Sequence, residues 1–219
     1  MMGSPSYGDD GPEICWNGAK GWQSGWYASD SISVEPSANA VSVDLIGVAD
    51  WADEVYTPNV HRVVVEIQDA SEIDSFYLGF NRAKGPNQGV TFAQDEVTVT
   101  MARFKKTSWH QAGLGAPNAT ANVFPIFRKS NYNGGEKDLV VKVCEMVAGV
   151  EGQSPDVAKI LIYTDDGAGW NNGQMCPDEV GCIADSQCGK ILLLMLLLNG
   201  LLSLHVFHLS TMLYFTQFR

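Results

Sequence analysis

The 219 residues carry 14 basic and 25 acidic side chains, a formal charge of −11. No basic stripe exists, which excludes nucleic acid as a partner, and the length allows one sizeable domain or two small ones. Five cysteines (Cys15, Cys144, Cys176, Cys182 and Cys188) are an odd count that cannot all pair within the chain.

Met1 to Pro12 is polar and Gly-rich, without a secretory signal. The stretch from Gly11 to Tyr27 then reads as a short helix with legible ends. Asp9, Asp10 and Gly11 offer capping positions, Pro12 suits the first turn, and Glu13 sits where the helix dipole favours an anion. Cys15, Ala19, Trp22 and Trp26 follow at helical spacing and form one apolar face, with Asn17 and Lys20 directed elsewhere. Gly25 is the expected terminator. Gly18 and Gly21 each weaken a helix by about 1 kcal/mol relative to alanine, so packing must hold it. Two tryptophans on one small face need a large apolar surface to receive them.

The order Met1-Met2-Gly3, an acidic turn at Asp9-Asp10-Gly11-Pro12, then Cys15-Trp16-Asn17-Gly18-Ala19-Lys20, Trp22-Gln23 and Gly25-Trp26-Tyr27 resembles the gametolysin family of zinc metallopeptidases. In that family a Met-Gly turn and a polar loop lead into a helix of pattern Cys-aromatic-Asn-Ala-Ala-Lys-x-Trp-Gln-x-Gly-Trp-Tyr. Departures are Trp16 for phenylalanine, Gly18 and Gly21 for better helix formers, and Ser24 for an apolar residue. The likeness continues more loosely through Leu45 to Asp50 and Tyr77 to Gly85, and covers roughly residues 1 to 165. It implies that Met2 is the methionine beneath a zinc site and that residues 1–27 close a metzincin-like catalytic domain. It further implies a protein substrate of extracellular or cell-wall type and an extracellular or cell-surface location.

The zinc-binding His-Glu-x-x-His motif of such enzymes, with Glu as general base, is absent from the 219 residues. His61, His110, His205 and His208 are the only histidines, none followed by Glu and none four residues from another. The expectation is therefore a distal, catalytically inert portion of a protease, holding neither zinc nor another cofactor of its own.

From Ile32 the pattern changes to period two with β-branched residues. Strands are expected at Ser31–Glu35, Ala40–Val48, His61–Ile67, Ser75–Phe80, Glu96–Arg103, Leu139–Glu145 and Ala158–Tyr163. Turn clusters at Pro36 to Asn39, Thr57-Pro58-Asn59 and Lys84 to Asn87 separate the first of them. The fold class is thus mostly β, with a short N-terminal helix and an antiparallel β-sandwich or jelly-roll-like domain over residues 28–165.

Few residues of this domain invite chemistry. His61 reads as a turn or edge residue, and His110 as a solvated histidine in a Gly-rich loop. Asp165-Asp166-Gly167 lacks the spaced acidic ladder of a calcium loop and reads as a turn. Trp51, Tyr56 and Trp109 could form a carbohydrate platform, although scattered aromatics are normally core. Asn118-Ala119-Thr120 is a glycosylation sequon in a loop, usable on a secretory route.

Residues 166–189 form a Cys-bearing linker or the start of a Cys-rich module, with Cys176, Cys182 and Cys188 six apart, a spacing that does not fit zinc. A disulfide-linked extracellular module with partners beyond Cys188 fits better. Residues 191–215 carry no charge, and length and composition allow a transmembrane helix or tail anchor within the apolar tail 190–219. Composition flips abruptly after Gly189-Lys190, so translated intron sequence is an equal alternative. A non-catalytic, membrane-anchored β-sandwich for adhesion or glycan binding is the competing reading of the whole. Oligomeric state is left open.

Overall fold

The structure is a computed structural model and describes residues 17–69, 74–103, 108–121, 123–167 and 176. Among these, ten strands and two short α-helices build a mostly β fold of two five-stranded sheets packed face to face. The strands are β1 (Ser31–Val34), β2 (Val41–Ile46), β3 (His61–Arg62), β4 (Val64–Gln68) and β5 (Asp74–Asn81). They continue with β6 (Glu96–Arg103), β7 (Ser108–Leu114), β8 (Ile126–Lys129), β9 (Asp138–Val147) and β10 (Val157–Asp165). The first sheet runs β1-β4-β5-β6-β7 and the second β3-β2-β10-β9-β8.

Alternation along each strand sorts residues between the sheets and the outside. Phe76, Leu78 and Phe80 of β5 and Val97 and Val99 of β6 enter the central core. They meet Leu139, Val141 and Val143 of β9 and Ala158, Ile160 and Ile162 of β10. The intervening residues of β5 and β6, among them Tyr77 and Ala102, face outward into a second cluster with Ala19 and Tyr27.

The expected sandwich is present, but it is not wholly antiparallel. β1 pairs in parallel with β4, Ser31 opposite Val64, and β2 in parallel with β3, Asp44 opposite His61. Both pairs join strands that are not hairpin neighbours. The chain leaves β1 for the second sheet, crosses over through helix α2 (Val48–Ala52), and returns in its original direction, as a parallel partner requires. The expected strand through Val48 ends at Ile46 for the same reason. Gly47 is packed so tightly that a Cβ there would lie 2.9 Å from the Arg82 side chain, and the chain turns there into α2.

Two strands absent from the sequence reading complete the edges. β7 is polar and Gly-containing, and β8 is only four residues long, yet each pairs antiparallel with a regular strand beside it. His110 accordingly lies in an edge strand rather than a loop.

The helix α1 (Gly18–Ser24) is shorter than the sequence implies: Asn17 has extended backbone, φ −64° and ψ 163°, and is its N-cap. The proposed caps at Asp9 to Pro12, together with Met2, Cys15 and Trp16, lie outside the described residues. So do Cys182, Cys188 and the apolar tail. Among the described residues no helix is long and apolar enough to cross a membrane.

Candidate functional site

Among the described residues of the resembling stretch, Asn17, Ala19, Trp22, Gln23 and Tyr27 meet on the outer face of the first sheet. Asn17 accepts the Lys20 N–H through Oδ1 at 3.1 Å and donates from Nδ2 to Ser108 Oγ at 3.0 Å, so one side chain caps α1 and ties it to β7. Ala19 is wholly buried, and the Trp22 ring lies 6.1 Å from Tyr77. Gln23 donates to the Arg103 carbonyl at 3.0 Å and accepts from Lys20 Nζ at 3.3 Å.

The two helix-weakening glycines have a steric cause. A Cβ on Gly18 would lie 3.2 Å from the Leu78 carbonyl oxygen, because α1 rests directly on the β5 backbone. A Cβ on Gly21 would lie 2.6 Å from the Tyr27 ring, which occupies that space instead. Gly25, at φ 70°, donates to Trp22 O, and Trp26 N–H reaches Gly21 O, the paired bonds of a Schellman end. This reversal corrects the single apolar face: Trp26 leaves the helix axis and is 54% exposed, whereas Tyr27 is buried edge-on against Trp51 at 5.0 Å. Asn17, too, is drawn onto the sheet rather than away from it.

Beside this seat lies a residue the sequence reading did not single out. Asp30 is buried at the end of a 3-10 turn, and its Oδ2 accepts from Ser29 Oγ at 2.7 Å and from Trp51 Nε1 and Tyr56 OH, both at 3.0 Å. Burial pushes the Asp30 carboxyl up, but these three donors and the Arg62 charge outweigh it and hold it below its ordinary value. Burial and the same carboxylate push the Tyr56 hydroxyl up. Trp51 and Tyr56 therefore do not form a platform with Trp109; their polar ends converge inward on Asp30. The Ser-Asp pair before an apolar strand was the only sequence signal for such a node.

A second polar cluster lies where α2 meets the turn after β5. Arg82 bonds Asp95 at 2.7 Å and Asp156 at 3.0 Å, and Lys84 bonds the fully buried Asp50 at 2.9 Å. The hydrogen bond to Asp50 raises the Lys84 ammonium. Burial raises the Asp156 carboxyl, but the Gly149 N–H, Arg82 and Lys84 bring it below its usual range. Two cations interleaved with three carboxylates tie α2 to the turn after β5 and leave one net negative charge, with Asp50 Oδ2 buried and without a hydrogen bond among the described residues.

The remaining candidates are engaged locally. His61 Nδ1 accepts the Thr57 N–H at 2.9 Å, as a turn residue does. His110 packs edge-on against Phe92 at 4.7 Å, and burial lowers its imidazole while Glu96 opposes this. Asp165 accepts from Gly167 N–H through Oδ1 and from Arg128 through Oδ2. Among the described residues no three His, Cys, Asp or Glu side chains are arranged to hold a metal ion. Cavities near α1 are about 30 Å³ and 170 Å³, below the roughly 300–1,000 Å³ of small-molecule sites.

On the far side, Cys176 is bonded to Cys144 of β9 and wholly buried. The partner that the spacing of Cys176, Cys182 and Cys188 placed beyond the linker is thus Cys144 of β9, on the outer face of the second sheet beside Val140, Leu161 and Tyr163. Cysteine spacing alone cannot reveal such a pair. Family models, curated proteins and solved structures give no match to this chain, so the functional reading rests on its own residues.

Proposed function

We propose that this chain is the distal portion of a gametolysin-like zinc metalloendopeptidase that acts on extracellular or cell-wall proteins. In this reading the β-sandwich is a non-catalytic module and α1 is the closing helix of the catalytic domain, seated on the sandwich. The observation that supports it is the use of the resembling residues: Asn17, Ala19, Lys20, Trp22, Gln23, Gly25 and Tyr27 cap, end or dock one helix. In this reading the docked helix stands at the join between the catalytic domain and the sandwich. The zinc ion and the Glu base belong to residues this sequence does not contain.

The chain by itself is expected to bind no stoichiometric zinc and to cut no denatured protein substrate. Sequencing the full transcript tests the larger claim. A message reading upstream of Met1 into an in-frame His-Glu-x-x-His segment supports it; a message that starts at Met1 overturns it.

One observation favours a second reading, a binding module. Phe92 is 63% and Trp109 47% exposed, close to the free edge of β7. Loss of glycan or protein binding in both Phe92→Ser and Trp109→Ser, with unchanged stability, is the result that would select it.

A further inference from the structure

We propose that Asn118 carries an N-linked glycan that lies over Val123 on the outer side of the second sheet. The proposal rests on the extracellular part of the reading above and not on peptidase ancestry.

Asn118-Ala119-Thr120 is the only Asn-x-Ser/Thr sequence in the chain. Asn118 and Thr120 are both exposed, and residues Ala119–Ala121 form a tight 3-10 turn. Asn118 Oδ1 accepts the Ala121 N–H at 3.0 Å, and no hydrogen bond among the described residues uses Nδ2. The amide is therefore held by its oxygen and presents its nitrogen.

The surroundings indicate where a sugar would rest. Asn118 and Val123 exchange both backbone hydrogen bonds, at 2.8 and 3.0 Å, as an isolated antiparallel bridge. Directly opposed residues of this kind project their side chains to the same side, about 5.5 Å apart at Cα. Val123 is 58% exposed and Ile126, three residues on, 37%. Phe124 between them is buried in the outer cluster of the second sheet, which anchors the turn. A first sugar on Asn118 would present its C–H face to Val123.

Compartment is addressed independently by the Cys144–Cys176 disulfide, which fastens the same outer face. Such bonds persist in the oxidising lumen where lipid-linked oligosaccharide is transferred to protein. In that transfer Asn118 Nδ2 attacks C1 of the first sugar of a lipid-pyrophosphate-linked oligosaccharide. The N–C1 bond forms, the C1–O bond to pyrophosphate breaks, and one amide proton is lost; no oxidation or reduction occurs.

The test delivers the full 219-residue chain into the secretory pathway of a eukaryotic host and reads two things on the same material. Mobility without reductant reports the disulfide, and intact mass before and after amide-cleaving glycosidase reports the glycan. One oligosaccharide at Asn118, lost in Asn118→Gln and Thr120→Ala and retained in Thr120→Ser, is expected. A disulfide-bonded chain unmodified at Asn118 overturns this proposal and leaves the extracellular reading standing. Absence of both overturns the two together.

Discussion

The outer face of the first sheet is covered by α1 through Ala19, Trp22 and Tyr27, with Asn17 and Gln23 bonded to β7 and the end of β6. The outer face of the second sheet is covered by Phe124 and Cys176, over Val140, Cys144, Leu161 and Tyr163. Lys142 lies there too, wholly buried with Nζ 5.1 Å from the Phe124 ring, a cation–π contact in a dry place. One cover is a seven-residue helix that is too short to be stable alone and depends on close fit. The other has no regular structure at Cys176 and depends on a covalent tether. Burying the outer faces of a two-layer fold can therefore be achieved by shape complementarity or by cross-linking, and the two should fail in different ways.

The largest expected effect is on the tethered face. Cys176→Ser removes a bond that closes a 32-residue separation, and chain-entropy arguments put the loss at about 4 kcal/mol. Denaturant midpoints of the variant and of the reduced parent should fall together. Amide exchange should quicken around β9 and Phe124 but leave α1 protected; equal loss at α1 would show that the two faces are not independent.

Asp30→Ala tests the polar support of the helix-covered face. It strands the half-buried Trp51 Nε1 and Tyr56 OH, which puts the cost toward the lower end of the about 1–3 kcal/mol of an unpaired buried donor. The sign of its pH dependence is fixed. The folded Asp30 carboxyl sits below its ordinary value, so its contribution is full above the unfolded pKa and is lost as pH falls through the folded one. The stability curve of Asp30→Asn should accordingly be flatter than the parent's in that acidic window, as acid titration followed by tryptophan fluorescence would read.

Shape is tested by the two glycines. Alanine gains about 1 kcal/mol of helix propensity at either site, whereas overpacking costs about 1–3 kcal/mol where nothing can give. Gly21→Ala drives a methyl group to 2.6 Å from Tyr27 and should destabilise by about 1 kcal/mol net, with the Tyr27–Trp51 contact disturbed. Gly18→Ala, at 3.2 Å from a carbonyl oxygen, should be close to neutral. A reversed order would mean that Tyr27 is free to move and that the fit is looser than drawn. A smaller effect than at Gly21 is expected at Trp26, which the Schellman turn leaves 54% exposed: Trp26→Ser should change stability by less than about 1 kcal/mol.

Several elements were legible in the residues. β6 matches the expected Glu96–Arg103, and β1, β5, β9 and β10 match within two residues at either end. Gly25 ends α1 as its conformational freedom predicts. β7 and β8 were not legible, since Ser108–Leu114 has no strong alternation and becomes a strand because β6 offers it an unpaired edge. Trp51 and Tyr56 read as a candidate binding pair, and nothing local announces that Asp30, more than twenty residues earlier, turns them inward.

By itself the sequence determined which side of each regular strand is apolar, because side-chain direction alternates with period two whatever the neighbours are. It also determined where α1 must stop, because Gly25 tolerates a left-handed backbone. Only the tertiary structure decided that β1 pairs in parallel with β4 and β3 with β2, that Cys176 joins Cys144, and that Gly18 and Gly21 are needed where alanine would make a better helix. Each of these depends on atoms brought close from distant parts of the chain, and such proximity is a property of packing rather than of local pattern.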